Sequence, residues 1–175
     1  HIYLRVGEYE KAIDINERSQ IVDLQFAEIW GDTNFPVIGT YALSHKTHSA
    51  HALDFVRYAN YLQGNSEEAA EAATLNAANV GPGVNRGLKT KGHAWIVDKI
   101  FGRWDKIHAD NAANSQTPTP YLKGMWSYVM GSAHVAKGHM GPAETELANI
   151  RTQMAADDID DTGVGPTAAS HVLNL

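Results

Sequence analysis

A short phrase headed by glycine returns four times along this chain. It reads Gly7-Glu8-Tyr9-Glu10-Lys11-Ala12-Ile13, then Gly64-Asn65-Ser66-Glu67-Glu68-Ala69-Ala70. It comes back as Gly102-Arg103-Trp104-Asp105-Lys106-Ile107 and as Gly138-His139-Met140-Gly141-Pro142-Ala143. Each copy separates two stretches whose apolar residues recur at helical spacing. Glycine ends a helix in the left-handed region without steric penalty. Each phrase therefore predicts a turn between two amphipathic helices. Four such turns predict an all-α chain of antiparallel helix pairs, a repeat architecture.

The repeats are uneven. The phrase glycines stand 57, 38 and 36 residues apart, and the last two gaps approach a 34-residue helix–turn–helix unit. The repeats are placed at about 1–25, 50–79, 88–112 and 121–154, within a single domain. Residues 26–49 are expected as an inserted ordered loop, because Trp30 to Thr40 contains Gly31, Asn34, Pro36 and Gly39, which break helices. Val80 to Asn85 and Asn114 to Pro120 read as turns and loops. Residues 155–175 are expected as an acidic linker followed by the start of another helix. Ala12, Ala69, Gly131, Ala143 and Ala148 are the small residues expected where helices cross. Tyr3, Tyr9, Trp104, Trp126 and Tyr128 are expected to fill the wider gaps, because aromatic side chains dominate buried area.

Composition excludes several classes. With 43% hydrophobic residues the chain is not a disordered segment. A net charge of −6 with no basic block argues against a nucleic-acid surface. The absence of cysteine removes disulfide frameworks and cysteine zinc sites, and fits cytoplasm or periplasm alike. No apolar stretch reaches the roughly 20 residues of a membrane span. Ile2 to Val6 reads as a helix end and Ser170 to Leu175 as a helix start, so the sequence is expected to be a piece of a longer protein. Any targeting signal would then lie outside it.

Three stretches resemble the tetratricopeptide repeat (TPR) family, and bacterial members of it in particular. They are His1-Ile2-Tyr3-Leu4-Arg5-Val6-Gly7-Glu8-Tyr9 running on to Asn16, His51-Ala52-Leu53-Asp54-Phe55 running on to Gly64, and Phe101 to Lys106 followed by Pro120 to Tyr128. Ile107 departs from the usual alanine, and the third repeat's second helix looks shortened. The resemblance implies a right-handed superhelix of helix pairs that binds a protein or peptide, with no shared enzymatic activity. It implies a bacterial protein of cytoplasm or periplasm, and exposed array ends open to self-association. In that family the first helix of each repeat lines the concave groove. This places His1, Arg5, His51, Asp54, Tyr58, Tyr61, Met125 and Tyr128 on the ligand-facing surface.

Other chemistry is weaker in the sequence. His51 and Asp54 are three apart and share a helix face; together they suggest a carboxylate or peptide-terminus site, or an enzyme, against the alternative that they only fix packing. His45, His48 and His51 follow i, i+3, i+6 spacing. His48 and His51 are candidate metal ligands, although the phrase lacks the H-E-x-x-H pattern and its glutamate base. Asp157-Asp158-Ile159-Asp160-Asp161-Thr162-Gly163 has early calcium-loop positions without the closing glutamate. No nucleophile elbow, Walker sequence or dinucleotide fingerprint is present. No cofactor is expected, and the chain reads as an interaction protein rather than an enzyme.

Overall fold

All four phrase glycines adopt the same backbone. Their φ angles are +77°, +84°, +65° and +75° at Gly7, Gly64, Gly102 and Gly138, a region side chains with a Cβ rarely enter. The residue after each glycine donates its N–H to the carbonyl five residues back: Glu8 to Tyr3, Asn65 to Asn60, Arg103 to Asp98 and His139 to His134, each at 2.9 Å. This is the Schellman helix end, which satisfies carbonyls a terminating helix leaves open. The same residue then starts the next helix. Its carbonyl accepts from Ala12, Ala69, Ile107 and Ala143 at 3.0–3.1 Å. Ala12, Ala69 and Ile107 are buried, so Ile107 occupies the core position that alanine holds elsewhere.

The computed structural model describes residues 1–30, 45–78, 89–110, 119–161 and 167–174. They fall in two compact units, His1–Asn79 and Val80–Leu175. Among the described residues, every regular element is a helix.

The first unit contains α1 (Ile2–Arg5), α2 (Tyr9–Trp30), α3 (His45–Gln63) and α4 (Ser66–Ala78). Helices α2 and α4 both pack on α3. Leu53, Val56 and Ala72 form the core, with Ile13 against them. Ala52, Ala59 and Ala73 are also buried, and such small side chains let helix axes approach closely. Asn76, 1% exposed, donates from Nδ2 to the carbonyl of Ala50 at 3.0 Å and ties α4 to α3. Helix α2 continues five residues past Gln25, and α3 begins five residues before Ala50. The inserted loop expected over 26–49 is thus shorter than its composition suggests; residues 31–44 lie outside the described residues, as do the turn at 80–85 and most of the loop at 114–120.

The second unit contains a 3-10 turn (Lys89–Gly92), α5 (His93–Ile100), α6 (Trp104–Ala109), α7 (Pro120–Ala136), α8 (Met140–Met154), a 3-10 turn (Ile159–Asp161) and α9 (Ala169–Leu173). Helix α6 is six residues long, matching the shortened helix of the third repeat. Pro120 opens α7, and the Thr119 hydroxyl accepts from the Leu122 N–H at 3.3 Å, a side-chain N-cap before a proline suited to the first turn. The core gathers Trp95, Ile107, Leu122, Trp126, Val129 and Ala133. Trp95 and Trp126 meet edge to face at 5.2 Å. Gly131 sits where α7 and α8 cross: a Cβ there would come 3.3 Å from the Glu146 Cβ.

Three expectations are corrected. Within 155–175 the expected helix start is present as α9, but the described part of the expected linker is not wholly solvated, because Ile159 is buried in the core, where Ala169 of α9 is also buried and Val172 and Leu173 pack. Ala148 is exposed rather than at a crossing. Tyr3 and Tyr128 are 41% and 43% exposed, so they do not fill interior gaps.

Candidate functional site

The expected ligand-facing residues divide between the units: His1, Arg5, His51, Asp54, Tyr58 and Tyr61 in the first, Met125 and Tyr128 in the second. In the first unit His1 and His51 converge on Phe55. The His1 ring meets it edge on at 4.4 Å and the His51 ring at 4.8 Å, with the two imidazoles 5.9 Å apart. Tyr58 and Tyr61 lie 5.8 Å apart one turn further along. Arg5 is exposed. The carboxylate of Asp54 is held by Arg57, whose Nε donates at 3.0 Å and whose second guanidinium nitrogen lies 2.9 Å away. Both guanidinium nitrogens meet the same oxygen, Oδ1, in charge-assisted contacts. In the second unit Met125 packs against the core, while the exposed Tyr128 ring carries the Lys99 ammonium 4.7 Å from its centre.

The metal readings gain no support. Helix α3 does start at His45, so His45, His48 and His51 share one helix, but the side chains of His45 and His48 lie outside the described residues. Asp160 is engaged elsewhere: it accepts from the Ser170 N–H at 2.9 Å and from its hydroxyl at 3.2 Å. These bonds hold its carboxyl below the usual range. Among the described residues no trio of His, Asp and Glu is disposed to hold a metal ion. No helix there is long and apolar enough to cross a membrane.

Two features escaped the sequence reading. The first is a groove of about 460 Å³ in the first unit, walled by α2 and α4 and floored by Leu53, Val56 and Asn60 of α3. It opens on the side of α3 away from His51 and Tyr58, as the 100° step per residue requires. Ile21, Leu24 and Leu75 on its walls are 55%, 52% and 51% exposed. A signal existed: α2 carries more apolar residues than one neighbouring helix can cover.

The second is a histidine cluster where α6 meets the α7–α8 turn. The rings of His108 and His134 lie 4.7 Å apart, and His139 stands 6.0 Å from His134. Nε2 of His108 and Nδ1 of His134 are buried without hydrogen-bond partners among the described residues. Burial, then neighbouring His108, holds the His134 pKa below 6.5; Glu146 opposes this and His139 adds to it. An unfolded chain takes up that proton near pH 6.5, whereas the folded chain holds it off to lower pH. The unfolded state therefore binds more protons in that window, and stability falls as pH drops through it. The urea midpoint is expected to be lower at pH 5.5 than at pH 7.5, with His134→Gln flattening part of the slope; an unchanged slope in the variant removes His134 as its source.

No family model matches this chain, and no curated protein or solved structure is significantly similar to it.

Proposed function

We propose that this chain is a helical-repeat interaction scaffold of the TPR kind, whose helix pairs stack as a right-handed superhelix and whose open grooves receive a protein or peptide segment. The observation that carries the reading is the open apolar groove of the first unit, with Ile21, Leu24 and Leu75 each about half exposed. Contiguous exposed apolar surface of this kind marks interaction sites in folded proteins. The four identical glycine turns support the repeat architecture, and spacings of 38 and 36 residues between the last three glycines support a unit near the TPR length.

The test is selection of an unbiased peptide display library against the whole chain, followed by calorimetry on synthetic copies of the enriched peptides. Enrichment of a shared motif with saturable binding at micromolar Kd is the expected result. Repeated rounds that yield no motif, or peptides that fail to bind in solution, overturn the scaffold reading.

A further inference from the structure

The charge of this chain is unevenly divided. Residues 1–79 contain eleven Asp and Glu against five Lys and Arg, and residues 80–175 contain nine against nine. The entire net charge of −6 therefore belongs to the first unit. Within that unit the open groove places carboxylates on both walls: Glu17 from α2, and Glu68 with Glu71 from α4. All three are exposed, and among the described residues none has an ion-pair or hydrogen-bond partner. Glu68 and Glu71, three apart on a helix, present their side chains side by side. No lysine or arginine lines the groove among the described residues.

We propose that this groove docks an amphipathic helix of another protein, with an apolar seam flanked by Lys and Arg on both sides. The proposal rests on the scaffold reading above and adds the chemistry of the partner. Length fits a helix. From Ile13 to Leu24 the α2 wall runs about 16 Å, three helical turns at 1.5 Å per residue. The lining positions of α4, Glu68, Glu71, Ala72 and Leu75, follow the i, i+3, i+4, i+7 rhythm of a surface that accepts a packed helix. A partner seam at the same rhythm meets Ile21, Leu24, Leu53 and Leu75, and its flanks meet carboxylates on either wall. Charge also decides against other occupants. A second copy docking through its first unit would bring the same negative sign, and nucleic acid or an anionic lipid surface would be repelled by the rim. Complementary charge speeds encounter and selects the partner, while the apolar floor supplies most of the burial.

Three helical peptides sharing one apolar seam, flanked by Lys, Gln or Glu, distinguish the possibilities when titrated against the whole chain by calorimetry. The Lys peptide is expected to bind at least tenfold more tightly than the Glu peptide, with the Gln peptide between them and the difference shrinking in 0.5 M salt as the charges are screened. Glu68→Lys with Glu71→Lys is expected to reverse the order. Leu24→Asp, at a half-exposed site that leaves helicity intact by circular dichroism, is expected to abolish binding. Equal affinity for all three peptides overturns the charge assignment. Display-selected peptides that bind yet ignore both the Glu and the Leu24 substitutions place the ligand elsewhere, overturning this groove while the scaffold reading stands. Concentration-dependent dimerisation abolished by Leu24→Asp overturns the proposal in favour of a second copy.

Discussion

Leu122→Ala is expected to lower the urea midpoint of the second unit strongly. Leu122 is fully buried, among the largest side chains that are, and sits in the core with Trp95, Trp126 and Val129. Its neighbours belong to several elements: the position Gly92 would give a Cβ is 3.7 Å from Leu122 Cδ2, and Gly92 closes the turn before α5. A side chain held from several directions leaves a hole its surroundings cannot fill. Truncations of this type cost about 3 kcal/mol, through lost transfer energy and the residual cavity. Three of the four tryptophans, Trp95, Trp104 and Trp126, lie in the second unit, so tryptophan fluorescence during urea titration, read in a Trp30→Phe background, follows this loss. A loss below about 1 kcal/mol would show that the site collapses and that the core is less tightly packed than its burial implies.

Asp98→Ala is the second large effect, and its origin is electrostatic. Asp98 is 6% exposed at the end of α5. One carboxylate oxygen meets the Arg103 guanidinium at 3.2 Å and the Lys106 ammonium at 2.9 Å. The Asp98 carbonyl also accepts the Schellman bond of the third turn, so backbone and side chain of one residue join α5 to α6. Removing one member of a buried ion pair costs about 3–5 kcal/mol. The Lys106 side chain is 59% exposed, and its share is reduced by solvent. A loss of about 2–3 kcal/mol is therefore expected, with a smaller one for Asp98→Asn, which keeps the shape and an acceptor. A double-mutant cycle with Arg103→Ala checks the cause: coupling of at least about 1 kcal/mol assigns the effect to the pair, and additive losses refute it.

The parts of the fold legible in the sequence are those coded locally. A glycine forced to positive φ and a small or apolar residue five positions later are neighbours in sequence, so the four turns could be read directly. The reach of α2 to Trp30 and of α3 back to His45 could not. His-Lys-Thr-His-Ser is a poor helix former by propensity, and packing of α2 against α3 overrides such preferences. The shared face of His51 and Asp54 was legible, but not the ion pair with Arg57, which stands at the same three-residue distance on the other side of Asp54. The guanidinium brings charge and two donors to the carboxylate. The groove depends on which face of α2 its neighbours leave bare, and the contact of His108 with His134 spans a hairpin. Neither is encoded by local spacing.

The glycine turn bears on how such a chain can change length. Any segment cut just after one phrase glycine and ending on the next begins and finishes on the same backbone geometry. A copy can therefore be joined head to tail, or removed, with both junctions already formed. The side chain after the glycine is unconstrained by the turn: it is Glu8, Asn65, Arg103 or His139 at four equivalent places. Recombination between copies would preserve the backbone of each junction while exchanging the chemistry displayed beside it.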